Sequence, residues 1–156
     1  LLWCKIFLLN NSFTPHKGDD LAFALLFDMN TLFESYVGNF IKKSFPCTIL
    51  QHSEKHLVED PKSFKLRPDI FLKDKFIADT KWKIISSRDD ISQADLYQLY
   101  AYGKKHECDK LHLIYPKIDD IRQKTMKFRY DDEMWLEILY FDLEKDKIVR
   151  NLLIKK

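Results

Sequence analysis

Three features of the 156-residue sequence predict an α/β sandwich built on a mixed sheet. A long run with helical apolar spacing stands near the start. Two short apolar runs around a charged turn follow it, and a second helical run then leads into a further strand. With 46% hydrophobic and 14% aromatic residues the chain can bury one sizeable core, so a single domain over residues 1–156 is expected.

The opening "LLWCKIFLLN" is apolar but about half the length that crosses a bilayer, and it has no basic leader. It reads as core, and no membrane association is expected. Because the chain begins at Leu1 rather than at a methionine, a fragment of a longer protein is expected. After the turn-rich "NNSFTPHKGDD", Ala22, Leu26, Met29, Phe33, Tyr36 and Phe40 fall at helical spacing, which predicts a helix over 21–43 capped by Asp19 or Asp20. Pro46 ends it. "CTILQHSEKHLVED" reads as a strand running into a polar turn at Asp60 and Pro61.

A second helix is predicted from about Ile91 to His106, with a Ser cap and with Leu96, Leu99, Tyr100 and Gly103 on one side. "LHLIYP" is the next strand. The last third alternates apolar and polar residues around acidic turns and is expected to add strands at the sheet edge. Trp3, Trp82 and Trp135 read as core residues, and "NLLIKK" as a frayed edge or lost interface.

A net charge of +2 excludes a strongly basic nucleic-acid binder, so any contact with nucleic acid must be local. Cys4, Cys47 and Cys108 are odd in number and too scattered for a CxxC motif, which points to reduced thiols and a cytoplasmic setting. His52 and His56 have i, i+4 spacing, yet the segment reads as a strand end without further ligands. Surface histidines are expected there.

The stretch "LRPDIFLKDKFIADTKWKI" carries the chemistry. A hairpin turning about Asp74 would place the pairs Leu72/Phe76, Ile70/Ala78, Pro68/Thr80, Leu66/Trp82 and Phe64/Ile84 on one nearly apolar face. A one-residue slip would mix the faces. The opposite face then carries Phe71/Ile77, Asp69/Asp79, Arg67/Lys81 and Lys65/Lys83. Like charges facing each other destabilise a sheet by some tenths of a kcal/mol per pair, so a purely structural hairpin would interleave them. Two carboxylates a few ångströms apart suit a hard divalent cation, and the cations Lys65, Arg67 and Lys83 would then face phosphate. Lys81, two residues after Asp79, projects to the same side and can orient a water or stabilise a pentacovalent phosphate. A bare D-x-K is more often a solvated charged face, as Asp60 and Lys62 show in an obvious turn.

The ordered strings "LLFDMNTLFESYV", "LRPDIFL", "IADTKWK", "DLYQLYAY" and "LIYP", from about Leu25 to Pro116, resemble the C-terminal PD-(D/E)xK nuclease domain of the McrC family. McrC is the cleavage subunit of McrBC-type modification-dependent restriction systems. The resemblance implies a restriction-endonuclease-like core, a mixed central sheet flanked by helices, and Mg²⁺-dependent hydrolysis of DNA phosphodiesters, with Mn²⁺ able to substitute. It makes Asp69 and Asp79 metal ligands, Glu34 an auxiliary ligand, Lys81 the residue that positions the attacking water, and Gln98 the glutamine of the following helix. The Thr80 carbonyl would complete the metal shell. It also implies an McrB-like AAA+ GTPase partner, engaged through a region ahead of this chain. Two rivals remain: a non-catalytic DNA-binding or scaffold subunit of an AAA+ assembly, and a repair or recombination nuclease with the same core.

Overall fold

The computed structural model describes residues 28–118 and 123–148. The opening apolar segment, the caps at Asp19 or Asp20, Trp3, Cys4 and "NLLIKK" lie outside the described residues. Helix α1 (Met29–Ser44) is capped by Asp28, and the part of the predicted helix before Asp28 lies outside the described residues. The Asp28 carboxylate accepts the N–H groups of Asn30 and Thr31 at 3.0 and 3.4 Å, which would otherwise lack partners at a helix start. Lys42 and Lys43 close the last turn ahead of Pro46, where positive charge suits the helix dipole.

The strands are β1 (Ile49–Leu50), β2 (His56–Glu59), β3 (Lys62–Lys65), β4 (Ile70–Leu72), β5 (Phe76–Thr80), β6 (Lys110–Pro116), β7 (Met126–Arg129), β8 (Trp135–Asp142) and β9 (Lys147–Ile148). Helix α2 (Gln93–His106) joins β5 to β6. Among the described residues seven strands form one mixed sheet in the order β1-β4-β5-β6-β8-β7, with β9 also on β8, while β2 and β3 pair with each other. The β5/β6 and β6/β8 ladders are parallel, and the others are antiparallel.

Alternation along the strands feeds two separate cores. Phe33, Val37 and Ile41 of α1 pack on Ile70, Ala78, Ile114 and Phe141. Leu99 and Tyr102 of α2 pack on the opposite face, against Phe71, Ile77, Leu113 and Ile138. The sheet is therefore a layer covered on one face by α1 and on the other by α2, which explains why its central strands read as almost continuous apolar runs.

The hairpin register is the one the apolar alternation about Asp74 predicts. Ile70 pairs with Ala78, Phe71 with Ile77 and Leu72 with Phe76. Its length differs from the expectation. Pro68 has no N–H to donate, and Leu66 gives its own N–H to Lys55 instead, so the ladder stops at Ile70. Lys65 pairs with His56 in the β2–β3 hairpin, and the expected Pro68/Thr80, Arg67/Lys81, Lys65/Lys83, Leu66/Trp82 and Phe64/Ile84 pairs do not form. Phe64 is 72% exposed and Ile84 57%.

Three further expectations are corrected. Strand β8 is interior, since β6 covers one side of it along its length and β7 and β9 share the other. Trp135 at the start of β8 is 37% exposed, and Lys127 lies over its ring at 4.5 Å, a cation–π contact rather than core packing. His52 is buried, stacked on Phe71 with centroids 4.5 Å apart, because the chain after β1 folds back over the sheet edge. Trp82 does pack against the α1 core, tilted on Phe33.

Candidate functional site

The hairpin ladder ends where its acidic residues begin. Asp69 immediately precedes β4, and Asp79 is the next-to-last residue of β5; one step beyond the last paired residues, Ile70 and Ala78, the two lie close enough to act on each other's charge. Asp79 is only 2% exposed. Thr80 turns toward Asp69 and donates both its N–H and its hydroxyl to Asp69 Oδ2, at 2.7 and 2.8 Å.

Burial and the facing Asp79 push the Asp69 carboxyl up to about 7, against the pull of the Thr80 hydrogen bonds. Burial also raises Asp79, with Lys81 opposing the shift and Asp95 and Glu34 adding to it. The Lys81 ammonium lies 2.7 Å from Asp79 Oδ2 and 3.8 Å from Asp95 Oδ1. Burial works against its charge, but Asp79 and Asp95 outweigh that and hold it above the ordinary lysine range.

Glu34 reaches the same region from α1. Its carboxylate adds to the potential at both aspartates and accepts a hydrogen bond from Gln51 Nε2 at 2.6 Å. Gln51 in turn accepts from the Arg67 guanidinium. A polar chain Arg67–Gln51–Glu34 thus borders a cleft of about 260 Å³ lined by Glu34, Ser35, Asn39, Leu50, Gln51 and Asp69.

Among the residues expected to face phosphate, only Arg67 is tied into this cluster. Lys83 donates to the Asp90 carbonyl, and Lys65 belongs to the outlying hairpin. Gln98 donates to the Tyr102 hydroxyl at 2.6 Å rather than to Lys81, and the Tyr102 hydroxyl in turn feels both aspartates. Sequence reasoning missed Asp95 and Gln51. Asp95 sits three residues after Ser92, a spacing that reads as an acid serving the helix start, and no periodic signal marks Gln51.

No group of three His, Cys, Asp or Glu side chains that could hold a metal ion occurs among the described residues. Mg²⁺ does not need one. It is commonly held by one or two carboxylates, with water and substrate oxygens filling an octahedron. Burial first, and then repulsion by Asp79, raise the Asp69 carboxyl, and a divalent cation would offset both by stabilising the charged form, so the pair fits such an ion.

Fold and site together define a class: an α/β domain whose mixed sheet presents a buried carboxylate, a half-buried one and a lysine at the open end of one hairpin. The chain belongs to the McrBC 5-methylcytosine restriction system component family, whose model matches residues 1–116. It is also similar in fold to a chain of the half-complex from a tetradecameric assembly of Thermococcus gammatolerans McrB AAA+ hexamers with bound McrC, at TM-score 0.63 and 15% identity. That match covers 83% of this chain and 32% of the other, so the chain spans about a third of that relative. No curated protein matches it. Among the described residues no helix is long and apolar enough to cross a membrane.

Proposed function

We propose that this chain is a PD-(D/E)xK nuclease domain that hydrolyses DNA phosphodiester bonds with Mg²⁺ or Mn²⁺, as the cleavage part of an McrBC-type restriction system. The observation that carries the reading is the buried Asp79 beside the half-buried Asp69, with Lys81 against Asp79. A solvated surface hairpin has no reason to withdraw two neighbouring carboxylates from water, one of them fully, because each costs desolvation and each repels the other.

In this reading Asp69 and Asp79 would hold the cation, the Thr80 carbonyl would complete the shell, and Glu34, tied to Gln51, would add its negative charge from α1. When bound, the cation supplies Lewis-acid stabilisation of the phosphate and lowers the pKa of water. Lys81 orients the attacking water and offers positive charge to the phosphate oxygens in the transition state. Thr80 fixes the Asp69 carboxylate, and Arg67 binds a neighbouring phosphate. Gln98 holds Tyr102 beneath the aspartates.

An McrB-like AAA+ GTPase is the proposed partner. Family membership and the likeness to a chain from an assembly of McrB hexamers with bound McrC support it. With a net charge of +2 the chain attracts DNA weakly at long range, so loading by that partner would supply what its own field does not.

The test is thermal unfolding of wild type and Asp79→Asn in millimolar Mg²⁺ and in chelator. Wild type should gain melting temperature with the metal, and Asp79→Asn should not. Equal shifts in both proteins would reject the metal site and favour a non-catalytic subunit.

A further inference from the structure

The Lys81 ammonium stands between a carboxylate of the sheet and a carboxylate of α2, nearer the first. We infer that Asp95 is the positioning residue that receives Lys81 when Asp79 turns its oxygen to a divalent cation, an inference that rests on the metal-dependent reading above. Asp79 Oδ2 meets the ammonium at 2.7 Å. The same oxygen cannot also hold a cation closely, because the two positive charges would crowd one acceptor. Lys81 must give it up, and a flexible four-carbon stem lets it do so without moving the backbone.

Asp95 is the acceptor within reach. Its side chain is 19% exposed and points from the first turn of α2 toward the sheet, with Oδ1 already 3.8 Å from the ammonium. An acid in a first turn ordinarily serves the helix dipole from the solvent side. Asp95 serves the helix and also faces Lys81. The charges of the loaded site then close in pairs: Asp69 and Asp79 against one divalent cation, Asp95 against Lys81, and Glu34 against Arg67 through Gln51. Lys81 stays charged beside the reacting phosphate without competing for the cation's ligands.

The test is calorimetric titration of Mn²⁺ into the chain, as wild type, Asp95→Asn, Lys81→Met and the double variant, with circular dichroism melts to check folding. While Lys81 is present, Asp95→Asn should weaken Mn²⁺ binding about tenfold, because the ammonium has nowhere to go. In the Lys81→Met background the same change should cost less than about twofold, a coupling that only a shared contact produces. Equal weakening in both backgrounds would make Asp95 a ligand or a remote charge and overturn the inference, as would no weakening in either. Should Asp95→Asn fail to fold, Asp95→Ser removes the charge from the same turn and replaces it in the cycle. A wild type that binds no Mn²⁺ at all fails the underlying metal-dependent reading instead, and the inference falls with it.

Discussion

Thr80 donates its N–H and its hydroxyl to the same oxygen of Asp69, Oδ2, at 2.7 and 2.8 Å. Two donors on one oxygen stabilise the charged carboxylate, yet the group is still pushed up to about 7 by burial and by Asp79. The folded state therefore keeps a proton that the unfolded chain releases near pH 4. Without metal, stability should fall as pH rises from about 4 to about 7, by an amount on the order of a few kcal/mol. Asp69→Asn should flatten that part of the profile. Urea melts in chelator at successive pH values measure it, and identical slopes in the two proteins would refute the assignment.

Lys81→Ala tests the chemical role. Loss of one transition-state stabiliser costs about 2–4 kcal/mol, so cleavage in a system reconstituted with the proposed GTPase partner should drop a hundredfold or more. Mn²⁺ affinity should not weaken, since the removed ammonium competes for Asp79 Oδ2. Wild-type cleavage by a folded Lys81→Ala protein would remove the lysine from the mechanism.

His112 sits on the α1 side of β6 with its ring edge-on to Phe76, and burial first, then Lys110 and Lys127, depress it to about 3. The unfolded chain takes up that proton near pH 6.5, so the stability this neutral imidazole contributes is complete above pH 6.5 and is lost as pH falls toward 3. His112→Phe should lose less stability than wild type over that interval. Parallel acid-unfolding curves for the two proteins would count against it.

Gly103 lets α2 approach the loop before β8. A Cβ there would lie 2.8 Å from Met134 Sδ and 3.0 Å from the Cys108 carbonyl oxygen. Alanine normally gains about 1 kcal/mol over glycine inside a helix. Here overpacking should prevail, and Gly103→Ala should lose about 1–2 kcal/mol in denaturant melts. Met134→Ala should restore only part of the loss, because the Cys108 contact is with backbone. A stabilised Gly103→Ala protein would show that the loop yields.

Much of this was legible in residue order. Period-two alternation about Asp74 specified the register, and with it the opposition of Asp69 and Asp79, because a one-residue slip would have mixed the faces. The end of α1 before Pro46, the span of α2 and the β6 strand follow from local breakers and spacing. Local patterns report only on what a segment prefers by itself. They could not show that Pro68 would stop the ladder and leave Lys65 to another hairpin, or that β8 would lie inside the sheet. Nor could they bring Asp95 and Gln51 to the site. Asp95 lies fourteen residues from Lys81 in the chain, and Gln51 sixteen from Arg67. Those contacts exist because α2 packs on one face of the sheet and the chain after β1 crosses its edge. The strands alone determine that two acids face each other, and the packed layers decide which charges answer them.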